Sequence, residues 1–169
     1  MSSPRFSVCD TMNLWIDIAN SALTDLISKV DTLLINEEEA KQLTGEEHLP
    51  DAANAIFALG PNSTVIKRGE YGVTLFGENF SFAAPAYPLE KVTDPTGAGD
   101  SFAGGFMGYL ASVDKVDQES LRTAAVVGST MASFAVEDFG LDRIKNLTHP
   151  DIGERFEAFV NLTRFSPLK

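Results

Sequence analysis

Residues 94–105 read Asp-Pro-Thr-Gly-Ala-Gly-Asp-Ser-Phe-Ala-Gly-Gly, a run that sets small residues beside carboxylates. Gly97, Ala98 and Gly99 let the backbone come close to a ligand, and the unbonded amides of a following helix's first turn face an anion there. Asp100 falls at the same helix start, where the dipole favours its charged form and leaves it able to accept a proton from a hydroxyl. A weak base suffices for phosphoryl transfer, which depends mainly on positioning and charge stabilisation. The same residues also suit a glycine-rich turn whose aspartate only caps a helix. The run is not a phosphate loop of the Gly-x-x-x-x-Gly-Lys-Ser/Thr kind, and it lacks the third glycine of a dinucleotide fingerprint.

Two further segments carry polar groups at suggestive spacing. Asn36-Glu-Glu-Glu39 follows an apolar run, and Asn36 with Glu39 three residues on is a capping box; a carboxylate so placed can also face a hydrated divalent ion. Lys67-Arg-Gly69-Glu-Tyr-Gly72 suits a hairpin loop, and Lys67 or Arg68 would bring positive charge toward a phosphate. Trp15, beside a strand end, is expected in the core, whereas His48 and His149 sit in polar segments and are expected at the surface.

The elements that must hold these residues alternate. A strand-like run at 6–10 precedes a helix over 19–30, with apolar residues at Ala19, Ala22, Leu23, Leu26, Ile27 and Val30. A buried strand at 32–35 leads to a helix over 37–43 stopped by Gly45, and a helix over 50–59 is stopped by Gly60. Runs at 64–67 and 73–76 read as a hairpin, with a further strand at 80–83. An extended connection over 84–91 then reaches the glycine run, and helices follow over 101–110, 120–135 and 151–162, with an irregular segment at 136–150. This alternation predicts an α/β layered fold with a mostly parallel sheet and one antiparallel hairpin.

Composition narrows the function classes. The 169 residues, 44% of them hydrophobic, suffice for one sizeable core, so a single domain over 1–169 is expected. Thirteen basic against twenty-four acidic side chains give a net charge of −11, which disfavours nucleic acid and anionic lipid as partners. An anionic ligand must then be held by backbone dipoles, a few cations and metal, which again points to the glycine run. No stretch has the length and apolarity of a membrane span, and the opening Met-Ser-Ser-Pro-Arg lacks the apolar core of a secretion signal, so the cytoplasm is the expected compartment. Cys9 is the only cysteine; it reads as a buried strand residue, with no internal disulfide and no zinc cluster.

The stretch Asp94-Pro-Thr-Gly-Ala-Gly-Asp100-Ser-Phe resembles the signature Asp-Thr-x-Gly-Ala-Gly-Asp-x-Phe of the PfkB/ribokinase family of carbohydrate and nucleoside kinases, with Pro95 preceding Thr96. Asn-x-x-Glu, Gly-x-x-Gly and Gly-Ala-Gly-Asp also occur in that family's order, and the likeness runs from about residue 6 to about residue 140. The resemblance implies a ribokinase-like three-layer α/β/α fold. It makes Asp100 the general base, with the anion hole built by Gly97, Ala98 and Gly99. Asn36 and Glu39 would organise Mg2+, and Lys67, Gly69, Gly72, Thr96 and Gly128 would contact ATP, the last from the helix over 120–135.

Some family members also bind a potassium-like cation, which here would involve Asp94, Thr96 and the segment 135–140. Asp94 before Pro95 suits a plain turn residue equally well. The partners implied are ATP and a small hydroxyl-bearing sugar or nucleoside. The likeness covers only the C-terminal, nucleotide-binding and catalytic part of such kinases; the N-terminal half, with its lid, Gly-Gly motif and most acceptor contacts, is absent. Asp10-Thr-Met-Asn13-Leu-Trp15 lies where several sugar-kinase relatives carry Asp-x-Asn-x-Arg, but the arginine is missing. Two other readings therefore stand beside the kinase: a non-catalytic nucleotide-binding fragment without an acceptor site, and an interaction protein whose glycine loops are purely structural. Missing strands would leave an open sheet edge, a route to a homodimer.

Overall fold

The computed structural model describes residues 4–168, so the first three residues of the opening segment lie outside the described residues. Five strands form one sheet in sequence order: β1 (Val8–Asp10), β2 (Thr32–Asn36), β3 (Ser63–Lys67), β4 (Val73–Gly77) and β5 (Phe80–Ala84). β1 pairs with β2 and β2 with β3 in parallel, and β3 pairs with β4 antiparallel. This is the mostly parallel α/β sheet with a hairpin that the alternation predicts. The backbone gathers into two units, one of residues up to Gly69 with Val73–Ala83, the other of Glu70–Gly72 with the chain from Ala84 onward.

In the first unit β2 and β3 are buried at four successive positions, as strands covered on both faces must be. Leu33, Ile35 and Ile66 join Ile16, Leu23, Ile27, Ala40, Ala52 and Ile56 in one apolar cluster. Each fully buried aliphatic side chain there contributes about 1.5–3 kcal/mol, which fixes where the strand ends fall. β1 is shorter than the apolar run suggests, because the Ser7 amide and hydroxyl donate to the Asp31 carboxylate at 2.8 and 2.7 Å instead of extending the ladder.

The helix expected over 19–30 is found as α2 (Asn20–Ile27), and a short helix not expected from the sequence, α1 (Asn13–Ile18), precedes it, the two meeting at Ala19 with φ −140°. α1 buries Ile16, and Trp15, about 100° around the helix from it, is 47% exposed. The expectation that Trp15 is a core residue is thus corrected. α3 (Glu37–Thr44) carries its capping box and stops at left-handed Gly45, and α4 (Leu49–Leu59) has Pro50 in its first turn and stops at Gly60. Cys9 is buried in β1, where burial pushes its thiol up and Asp10 adds to the effect; His48 and His149 are exposed.

The second unit is helical: α5 (Ala98–Ser112), α6 (Gln118–Ala135) and α7 (His149–Thr163). α5 begins three residues before the expected position 101, because Gly97 in the left-handed region serves as its N-cap. Phe102, Phe106 and Leu110 are buried at i, i+4 and i+8, one stripe of a helix. Small residues face them on α6: a Cβ on Gly128 would lie 2.9 Å from the Phe102 carbonyl oxygen, and one on Gly105 would lie 3.0 Å from that of Val127. The two helices approach as closely as their backbones allow. Among the described residues no helix is long and apolar enough to cross a membrane.

Candidate functional site

In the first unit Asp10, Asn36 and Lys67 end β1, β2 and β3, with Asn36 level with Lys67 in the ladder. Carboxyl ends of parallel strands are where open α/β sheets take ligands. Lys67 Nζ lies 2.7 Å from Asp10 Oδ1, and Arg68 Nε lies 2.8 Å from Glu37 Oε2. The Arg68 hydrogen bond, with Lys41 3.3 Å away, holds the Glu37 carboxyl below the usual glutamate range. Both expected phosphate-facing cations therefore already have an acidic partner. Lys67 keeps further ammonium donors, since this contact uses one of three.

Asn36 Oδ1 accepts the Glu39 amide at 2.8 Å, and Glu39 Oε2 accepts the Asn36 amide at 3.1 Å. The capping box is therefore real. Glu39 is 7% exposed; burial pushes its carboxyl up, and the Asn36 amide and the charge of Lys67 pull against that. Directly after β1, the buried Thr11 hydroxyl has no partner among the described residues.

Oxygen donors of this kind suit a hard cation. Yet Asn36 and Glu39 use oxygens on the cap, Asp10 is paired, and among the described residues no group of three or more His, Cys, Asp or Glu gathers as metal ligands. The residues fit a hydrated divalent ion carried by phosphates, and they do not fit a resident ion held by direct bonds. Asp10 and Thr11 were not singled out as site residues from sequence. Their signal was there: polar residues directly after an apolar strand run.

In the second unit Gly97 has φ +79°, and a Cβ built on it would meet nothing within 4 Å, so the space before the loop is open. The Ala98 amide donates to the Pro95 carbonyl at 3.2 Å and the Ser101 amide to that of Gly97 at 2.9 Å. The Gly99 and Asp100 amides, between them, make no hydrogen bond to the described residues. Of the three residues expected to build an anion hole, Ala98 has its amide spent on closing the turn after Pro95, and the donors left are the amides of Gly97, Gly99 and Asp100. The Asp100 side chain is exposed and has no hydrogen bond or ion pair among the described residues.

Asp94 Oδ1 accepts the Thr96 amide at 2.9 Å, and that bond holds its carboxyl below the usual aspartate range. Thr93 and Asp94 amides both point at the Val136 carbonyl, at 2.8 and 3.4 Å. Asp94 is therefore a turn residue, and its amide reaches the segment 135–140 at Val136. Gly69 and Gly72 flank a 3₁₀ turn, Gly69–Tyr71, with φ +55° and +88°. A Cβ on Gly72 would lie 2.1 Å from the Ala84 carbonyl oxygen, whereas Gly69 faces open space. Gly128 needs correcting as a nucleotide contact: it is buried against Phe102, and the helix crossing accounts for the missing side chain.

The chain is 43% identical to the cytidine kinase of Thermococcus kodakarensis over 90 residues, 52% of this chain and 32% of that protein. It is 31% identical to a nucleoside kinase of Methanothermobacter thermautotrophicus over 150 residues, 88% of this chain and 44% of that one. It thus spans less than half the length of these relatives. Among solved structures, aminoimidazole riboside kinase from Salmonella enterica, complexed with aminoimidazole riboside and an ATP analog, superposes with a TM-score of 0.79 at 24% identity, covering 89% of this chain and 52% of that one. The fold is therefore the ribokinase fold. Residues 6–146 match the model of the pfkB family carbohydrate kinases, and the chain belongs to that family.

Proposed function

We propose that this chain is the nucleotide-handling and catalytic part of an ATP-dependent phosphotransferase, which moves the γ-phosphoryl group of MgATP to a hydroxyl of a sugar or nucleoside. The observation that carries the reading is the first turn of α5, where two unspent amides stand beside an exposed, unpaired carboxylate. Asp100 takes the hydroxyl proton as the acceptor oxygen bonds to the γ-phosphorus and the bond to ADP breaks. The unbonded Gly97, Gly99 and Asp100 amides stabilise the transferring oxygens, and the missing side chain at Gly97 gives access to them. Asn36 and Glu39 act through water on a divalent ion, which would neutralise phosphate charge, and magnesium is the ion proposed. Asp94, Thr96 and the carbonyls of 135–140 are proposed to take a potassium-like cation. The acidic surface and single cysteine suit a cytoplasmic protein, and the edge of β1 offers a route to a homodimer.

The test is Asp100→Asn, followed by calorimetry with MgATP and by ADP release in the presence of a panel of sugars and nucleosides. Loss of a general base costs about 10²–10⁴ in rate, while ATP affinity should stay within about twofold. Equal turnover by variant and wild type would overturn the role of Asp100. The share of the relatives that the chain spans favours a second reading, a nucleotide-binding module without its own acceptor site. MgATP binding with no turnover on any acceptor would select it.

A further inference from the structure

Where α6 ends and α7 begins, an ionic cluster stands that the phosphoryl-transfer reading leaves unused. The Glu137 carboxylate accepts Arg155 Nη2 at 2.7 Å on one oxygen and Arg143 Nε at 3.0 Å on the other. Arg155 also donates from Nη1 to Ser133 Oγ at 3.1 Å, and its guanidinium lies 4.2 Å from the ring centre of Tyr87 and 4.0 Å from that of Phe134. The side chains of Arg155 and Glu137 are 14% and 23% exposed, so the pair is largely out of water. A planar guanidinium satisfies two bonds and two ring faces together, which an ammonium cannot.

Glu137 directly follows Val136, whose carbonyl receives the amides of Thr93 and Asp94. Asp94 in turn receives the Thr96 amide, and Thr96 precedes the Gly97 cap of α5. An unbroken series of bonds thus runs from Arg155 through Glu137 and Val136 to the glycine loop. We propose that Glu137 and Arg155 are positioning residues for that loop, holding the Val136 carbonyl where it sets the course of residues 93–97. The consequence for nucleotide rests on the phosphotransferase reading, whereas the mechanical link does not. A cluster that only fastened α7 would change overall stability without singling out Thr93 and Asp94.

Residue-resolved amide exchange separates these cases. In Arg155→Met the Thr93 and Asp94 amides should exchange about tenfold faster, because the remaining half-buried Glu137 carboxylate loses one of its two arginine partners, while the Phe106 amide in the middle of α5 follows global stability alone. Arg155→Lys should restore part of the protection, since it keeps the charge and loses the stacked fork. MgATP affinity, measured on the same samples, should fall with the loss of protection. Thr93 and Asp94 changing no more than Phe106 would overturn the proposal. Should Arg155→Met not fold, Glu137→Gln gives the same comparison, because it keeps the shape and removes the charge. A wild-type chain that binds no MgATP would count against the phosphotransferase reading and leave the exchange result to decide this one.

Discussion

Gly72 is the position where the geometry gives the sharpest number. In Gly72→Ala a residue with a side chain must hold φ +88°, which costs about 1–2 kcal/mol. Its Cβ would lie 2.1 Å from the Ala84 oxygen, 2.5 Å from the Pro85 carbonyl carbon and 2.7 Å from the Ala86 nitrogen. All three are backbone atoms, so no rotamer change relieves them, and overpacking of this kind adds about 1–3 kcal/mol. The sum is about 2–5 kcal/mol. Gly69→Ala is the internal control: φ is +55° and nothing stands within 4 Å, so only the conformational part, about 1–2 kcal/mol, remains. Urea unfolding of both variants at matched m-value reads the difference directly. Equal losses, or a Gly72→Ala protein as stable as wild type, would show that the approach of residues 84–86 is not what the glycine serves. Gly69→Ala has a second readout: a Cβ in the open space over this turn should weaken MgATP binding if the nucleotide lies against it.

Glu39→Gln tests burial against charge. Because the folded carboxyl titrates above its ordinary value, the native state holds the proton more tightly, and the stability this gives is full below the usual glutamate range and is lost as pH rises through the folded value. Glutamine keeps the capping box without that loss, so the variant should gain on wild type in urea midpoints from about pH 4 upward, and a difference that stays flat or shrinks counts against the argument. Gly128→Ala should cost about 1–3 kcal/mol in the same assay, since the Phe102 ring can yield but its carbonyl at 2.9 Å cannot; a neutral result would mean that α5 and α6 are looser than described. Trp15→Ala should cost less than about 1 kcal/mol against about 3–5 for the fully buried Phe106→Ala, and a comparable loss at both sites would return Trp15 to the core.

The parts of the fold that could be read in advance are those whose causes are local. Asn36, the acidic residues after it and Gly45 mark both ends of α3 within ten residues, and the apolar runs around them give β2 and β3 directly. The short helix α1 left no such mark, because six residues are too few to show an apolar period and neither glycine nor proline separates them from α2. Trp15 was misplaced for a related reason: one step around α1 separates it from buried Ile16, and hydrophobicity alone does not choose between adjacent positions. In the site, the capping box and the glycine cap were legible. The pairing of Lys67 with Asp10, 57 residues apart, and of Arg155 with Glu137, 18 apart, follows from tertiary packing and leaves no spacing pattern to read.

Those pairings bear on how an acidic chain can hold an anion. With a net charge of −11 the long-range field repels a nucleotide, and four cations, Lys67, Arg68, Arg143 and Arg155, each lie against a carboxylate. A paired cation still offers donors, but its charge is largely cancelled at any distance beyond the pair. Groups that carry no net charge then gain weight, namely the unbonded amides of Gly97, Gly99 and Asp100 at the start of a fifteen-residue helix, whose partial positive charge is fixed in direction and needs no reorganisation. The glycine at 97 matters for the same reason, since a side chain there would stand in the open space before those amides and would have to hold φ +79°. Attraction by oriented dipoles falls off within a turn of the helix, and on the phosphotransferase reading a divalent ion would come with the phosphates, since no cluster of carboxylates gathers among the described residues to hold one beforehand.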